Sequence, residues 1–128
     1  MKYLILGILC VLIFSVGASA QQIEAASQAQ INLIQAALGD QYPISKTAAV
    51  KSGNHRNAYY VGAIFTAVGV KQSMLGIWLV GGQKNAPNLV YSINGYAHQF
   101  SGMRKASETK AYATIQDPEA QALDGYLK

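Results

Sequence analysis

Asn57-Ala58-Tyr59-Tyr60-Val61-Gly62-Ala63-Ile64-Phe65-Thr66-Ala67-Val68-Gly69-Val70 and, just after it, Met74-Leu75-Gly76-Ile77-Trp78-Leu79-Val80 are the two stretches that settle the architecture. In each, residues of both parities are apolar, so neither strand face is set aside for water. Such strands lie centrally in a sheet and are covered at least in part on both sides. The polar turn Lys71-Gln72-Ser73 between them makes a hairpin the simplest connection. Gly62 and Gly69 read as bends or bulges.

Upstream, Ile23, Ala26, Leu33, Ile34, Ala37 and Leu38 recur at helical spacing, with Gly39 as the cap residue and Pro43 as a stop. A helix is expected from about Ile23 to Leu38. Thr47 to Lys51 reads as a short strand ending in the turn Ser52-Gly53-Asn54. Downstream, Gly81-Gly82 to Asn88 reads as a loop and Leu89 to Phe100 as one strand. Leu89, Tyr91, Ile93, Gly95 and Ala97 would share one face of it, and Ser92, Asn94, Tyr96 and His98 the other. Ser101 to Glu108 is a polar loop, and Lys110 to Ile115 a candidate last strand. Asp117-Pro118-Glu119 supplies an N-cap, a first-turn proline and a first-turn acid for a short closing helix with Leu123, Tyr126 and Leu127. The class is therefore α+β: an N-terminal helix packed on a curved antiparallel sheet of four to five strands, then a short C-terminal helix.

Residues 1–20 read as a cleavable secretory signal. Met1-Lys2 gives the positive end, Leu4 to Val16 an uncharged apolar run, and Ala18-Ser19-Ala20 a signal-peptidase site. The run is shorter than the roughly 20 residues that span a bilayer, and polar Gln21-Gln22 follow it, so no stable membrane insertion is expected after cleavage. Residues 21–128 remain as a single domain, exported to the periplasm or the extracellular space. The one cysteine, Cys10, lies inside the signal. The exported part therefore holds neither disulfide nor thiolate, a composition that fits a bacterial envelope. The whole chain carries a formal charge of +4. Its cations are scattered, Arg104-Lys105 being the longest basic run, and no stripe points to nucleic acid.

Chemistry is sparse. Metal binding needs three or four ligands, and the exported part offers only His55, His98 and six carboxylates without a recognisable spacing; neither a metal nor a cofactor is expected. Gly81-Gly82 runs into Gln83-Lys84-Asn85-Ala86-Pro87 rather than into a phosphate-binding helix. Asp117 and Glu119 are accounted for by the helix start. His98 is the one candidate for catalysis. On a strand, however, Ser92 would lie about 20 Å from it, too far for a nucleophile–base pair. Trp78, between Ile77 and Leu79, reads as core. Among the seven tyrosines that follow the signal, Tyr96 stands on the polar strand face. With Asn94 and His98 it makes the candidate recognition surface, since tyrosine offers large contact area with few rotatable bonds.

The segments Gly76-Ile77-Trp78-Leu79-Val80-Gly81-Gly82 and Tyr91-Ser92-Ile93-Asn94-Gly95-Tyr96-Ala97-His98-Gln99-Phe100-Ser101 resemble those of a group of small exported bacterial proteins of unknown function, many of them lipoproteins. The resemblance spans roughly residues 61–124. It implies export and a similar domain, and brings no activity or site residue; this chain lacks the anchoring cysteine of the lipoproteins. The expected function is that of an exported, non-enzymatic binding protein whose partner is another protein or an envelope polymer. An inhibitor or immunity-type protein against a secreted enzyme is a special case of it. The alternative is a small hydrolase or lyase with His98 as general base and Asn94 or Tyr96 as hydrogen-bond donor.

Overall fold

The computed structural model describes residues 21–128, so the export signal expected over 1–20 lies outside the described residues. The elements are helix α1 (Gln28–Leu38), strands β1 (Ile44–Lys51), β2 (Ala58–Thr66), β3 (Ser73–Gln83) and β4 (Ala86–Ser92), helix α2 (Gly95–Ser101), a 3-10 turn (Ala106–Glu108) and helix α3 (Pro118–Leu127). The strands form one antiparallel meander in the order β1-β2-β3-β4. It is an α+β fold with an open sheet of four strands and a short C-terminal helix.

The two doubly apolar stretches are the central strands, and each divides its side chains between two layers. Val61, Ala63, Phe65, Met74, Trp78 and Val80 pack with Ile34 and Leu38 of α1 and Ala97 of α2. Tyr60, Ala58, Leu75, Ile77 and Leu79 pack with Leu123 and Leu127 of α3 and with Ala106 and Ala113 of the preceding loop. Helical layers thus cover both faces, which is why neither parity of β2 or β3 needed to be polar.

Two glycines set the thickness of these layers. A Cβ on Gly76 would meet the Trp78 ring at 2.3 Å, so the indole occupies the space that the missing side chain leaves. A Cβ on Gly62 would meet Leu127 Cδ1 at 2.6 Å and Leu123 Cβ at 3.6 Å. Gly62 is therefore no bulge: it pairs in register with Ala48 and Ile77 and leaves clearance for α3. The register shifts instead lie between Ile44 and Lys46 and between Gly81 and Gly82. Gly69, at φ +85°, does turn the β2–β3 connection.

Other sequence expectations change as well, and the first strand starts at Ile44 rather than Thr47. The first helix starts at Gln28, not near Ile23, because Ser27 and Gln30 form a reciprocal capping box. The residues before it run extended, and Glu24 bridges Ala49. Gly81-Gly82 belong to β3 rather than to a long loop, and a tight turn at Lys84-Asn85 leads into β4. Leu89 to Phe100 is not one strand, since β4 ends at Ser92 and α2 begins at Gly95. Lys110 to Ile115 is not a strand either. Thr109 Oγ1 donates to the Ala106 carbonyl and accepts from the Ala111 N–H, and Tyr112 sits at φ 34°. Local side-chain bonds of this kind compete with ladder formation.

The start of α3 is tied to the sheet by polar contacts under its first turn. Asp117 occupies the N-cap position, but its carboxylate accepts from the Tyr60 hydroxyl (2.6 Å) and the Thr114 N–H (3.1 Å) instead of capping. Glu119, almost fully buried, accepts from the Gly53 N–H (2.8 Å). Burial first, then the bond to Asp117 and the charges of Glu119 and Asp117, push the Tyr60 hydroxyl well above the usual tyrosine range, although a Ser52 bond opposes them.

Two outcomes are expected. Gly76→Ala forces the methyl into the indole and should cost about 1–3 kcal/mol by overpacking. Urea unfolding followed by the emission of Trp78, the only tryptophan, measures this, and an unchanged midpoint would contradict the contact. The raised Tyr60 value makes stability pH-dependent: the contribution of the protonated hydroxyl is whole below about pH 10, the unfolded value, and is lost as pH rises through the folded one. Above about pH 10 the wild-type urea midpoint should therefore fall more steeply than that of Tyr60→Phe, and below it the two should run parallel. Curves that stay parallel above it would remove Tyr60 as the cause.

Candidate functional site

The residues singled out for recognition sit on a short helix, not on a strand face. Asn94 is the N-cap of α2. Its Oδ1 accepts from the Ala97 N–H (3.0 Å) and the Ile77 N–H (3.1 Å), and its Nδ2 donates to the Leu75 carbonyl (2.8 Å). These bonds hold the helix against the outer side of β3, so Asn94 is a positioning residue of the fold with its amide already occupied. At the other end, the left-handed Gly102 closes the helix with its N–H on the His98 carbonyl. The buried face of α2 is pinned by the Trp78 indole N–H, which donates to Ser101 Oγ (3.1 Å).

Tyr96 and His98 lie two residues apart, about 200° around a helix of 3.6 residues per turn, and so point in different directions where a strand would have aligned them. His98 is exposed, and its Nδ1 meets the Met103 carbonyl at 2.9 Å. A carbonyl only accepts, which assigns the proton to Nδ1 and leaves Nε2 toward solvent. No carboxylate, hydroxyl or thiol among the described residues hydrogen-bonds to the ring. His98 lines neither the groove beside Tyr96 nor the hollows beside α1 and β4. Ser92 is buried with its hydroxyl on the Met103 carbonyl. Ser92 and His98 thus share an acceptor, and the structure brings no nucleophile, base and orienting acid together. Among the described residues no group of three His, Cys, Asp or Glu side chains could hold a metal ion. No helix among them is long and apolar enough to cross a membrane.

Tyr96 has a different setting. It is 42% exposed, and its ring leans on Phe100 (centroids 6.1 Å apart), which stacks edge-on with Phe65 (5.6 Å) and Tyr42 (5.1 Å). This row of aromatic rings fixes one side of the tyrosine from within the core. The other side faces a groove of about 520 Å³ lined by Ile64, Leu75 and Leu127, with Lys46 and Lys128 at its rim. Lys128 pairs with Asp124 (2.9 Å), while Lys46 lies over the Tyr126 ring (5.2 Å) and has no carboxylate partner among the described residues. The adjacent β2–β3 loop carries Val68 and Val70, 74% and 51% exposed, and then Lys71. An apolar floor, a half-exposed aromatic and a lysine rim therefore meet at one end of the sheet.

Two further concavities flank β4. One, of about 380 Å³, lies on the α3 side and includes His55, Arg56, Asn57, Tyr91 and the Gly81-Gly82 backbone. The other, of about 410 Å³, lies on the α1 side between Leu33, Ala36, Ala37, Val90 and Met103. Neither was legible in the sequence, because each joins segments far apart along the chain. The only local sign was Arg56-Asn57, a polar pair directly before the apolar run of β2. Comparisons with protein-family models, with curated proteins and with solved structures found no match, so the geometry of the chain alone carries its functional reading.

Proposed function

We propose that this chain is a small exported, non-enzymatic binding protein, periplasmic or extracellular, that captures another protein through the groove beneath Tyr96. The observation that carries the reading is Tyr96 itself: a half-exposed ring, braced from behind by Phe100, at the mouth of an apolar groove of about 520 Å³. Binding hot spots favour tyrosines of this kind, because a pre-positioned ring loses little freedom on contact. Exposed Val68 and Val70 extend the apolar surface, and Lys46 and Lys71 favour a partner with acidic residues around an apolar anchor. The signal-like residues 1–20 support export. Inhibition of, or immunity to, a secreted enzyme is one form this capture takes. The hydrolase reading has no such support, since His98 stands outside the groove and its ring bonds only to a backbone carbonyl.

The test is capture from a host envelope and culture-medium extract on immobilised protein, with the retained species identified by mass spectrometry and its Kd then measured. Tyr96→Ala should weaken binding about tenfold or more, the loss typical of a hot-spot aromatic, with the melting temperature recorded to exclude unfolding. His98→Ala should bind as the wild type does. Equal binding by Tyr96→Ala places the site elsewhere, and retention of a glycan alone replaces the protein partner with an envelope polymer.

A further inference from the structure

The α3 face of the sheet runs out of large side chains at one corner. Tyr60 and Leu79 pair across β2 and β3, and in the next row on that face their places are taken by Ala58 and Gly81. On β4, Tyr91 pairs with Leu79 and Leu89 with Gly81. The Leu89 side chain lies over Gly81, where a Cβ would meet it at 3.3 Å. α3 itself rests mainly on β1 and β2. The small residues therefore leave a cavity of about 380 Å³, floored by Ala58, Leu79, Gly81 and Leu89 and closed at one side by Ala111.

The rim of this cavity is polar and held in place. It comes from His55-Arg56-Asn57 in the β1–β2 connection and from Asn88 and Tyr91 of β4. Three separate contacts fix the connection. Ser52 Oγ accepts from the Asn54 and His55 N–H groups (3.3 and 2.9 Å). Buried Glu119 accepts from the Gly53 N–H (2.8 Å). Asn57 adopts the left-handed conformation, at φ 54°, with its carbonyl on the Gly82 N–H (2.7 Å). Outside glycine that conformation is uncommon, and where the surroundings enforce it ligand sites are a frequent setting. Here it ends the turn so that Arg56 borders the cavity.

Donors gather at this rim without an acid to use them. No carboxylate lines the cavity, and Arg56 belongs to neither of the ion pairs among the described residues. The side chains of His55, Arg56, Asn57, Asn88 and Tyr91 hydrogen-bond to no other side chain among the described residues. A guanidinium presents parallel N–H groups that match a carboxylate, and even a neutral imidazole keeps one N–H. One guanidinium balances one negative charge, which favours a monoanion over a phosphate dianion. The floor is apolar, and Gly81, having no side chain, leaves a flat ledge between Ala58 and Leu79 for a planar body.

We propose that this cavity binds a small organic anion: a single carboxylate on an aromatic body. Arg56 and His55 hold the carboxylate, and the body lies against Leu79, Leu89 and Ala111. An apolar hollow of this size with a few converging polar groups is the usual form of a small-molecule site. It is separate from the Tyr96 groove. Leu75, which lines the groove, and Gly81 are both on β3, about 20 Å apart along the strand. The site thus adds a second binding function to protein capture and does not depend on it.

The probe is phenylacetate, titrated into the isotope-labelled protein and followed by amide chemical shifts. Shifts at Arg56, Asn57, Gly81 and Gly82 that saturate together are expected, with the Tyr96 groove unmoved. Phenylacetamide keeps the ring without the charge, and acetate keeps the charge without the ring. Each should bind about tenfold more weakly or worse. Arg56→Gln should weaken phenylacetate by a similar factor, the scale of a lost charge-assisted contact. Arg56 is exposed and in no ion pair among the described residues, so this variant leaves the fold intact. Equal binding of phenylacetamide or acetate, tighter binding of inorganic phosphate, or unchanged binding by Arg56→Gln would each overturn the proposal. So would shifts centred on the Tyr96 groove, or no shift at millimolar phenylacetate. None of these results bears on capture through Tyr96, which its own alanine variant tests.

Discussion

The layer that carries α1 and α2 is built around the Trp78 indole lying against Gly76. The ring fills the space of a missing side chain on its own strand, so β3 can carry its largest residue without pushing the α1 layer away. Its N–H then reaches Ser101 at the far end of α2, and Asn94 fastens the near end to the backbone of the same strand. A buried indole N–H without an acceptor would carry a desolvation cost, so the position of α2 follows from the position of the ring. Tyr96 in turn takes its direction from α2. The chain of cause runs from a glycine in the sheet to the half-exposed aromatic of the groove.

The opposite face works through carboxylates. Asp117 and Glu119 lie at a helix start, where acids are favourable, but their oxygens reach across to Tyr60 on β2 and to Gly53 in the β1–β2 connection. The two faces are thus secured by different means, an aromatic wedge on one and buried acceptors on the other.

The central architecture was legible because double-sided apolar strands have few alternatives. Met74–Val80 and the run through Tyr60 and Phe65 cannot face water on either side, and the Asp-Pro-Glu start of α3 is hard to mistake. Leu89–Phe100 misled because its alternation of apolar and polar residues satisfies a strand, while the signals that end the strand are single residues. Asn94 is an N-cap and Gly102 a left-handed closing residue, and both were readable as turn chemistry. Their weight became visible only with Ile77 and Leu75 as partners for the Asn94 amide. Tyr96 was legible as a candidate but not its groove, whose lining comes from β1, β2, β3, α2 and α3.

The contacts that close the two helical layers share a property of chain distance. Ser27, the cap of α1, donates to the Lys84 carbonyl, and Tyr60 donates to Asp117; each pair is separated by 57 residues. The sheet between them is a meander whose strands pair with their immediate neighbours in sequence. Hairpins of that kind close short loops early, whereas contacts this far apart carry a larger loop-closure entropy and form late. Folding therefore proceeds from the middle of the chain outward, and both ends reach their places only after the strands that receive them exist. A chain emerging from its N-terminus holds α1 without a seat until the β3–β4 turn has followed, so its two ends dock in the closing phase of folding rather than in the order in which they appear.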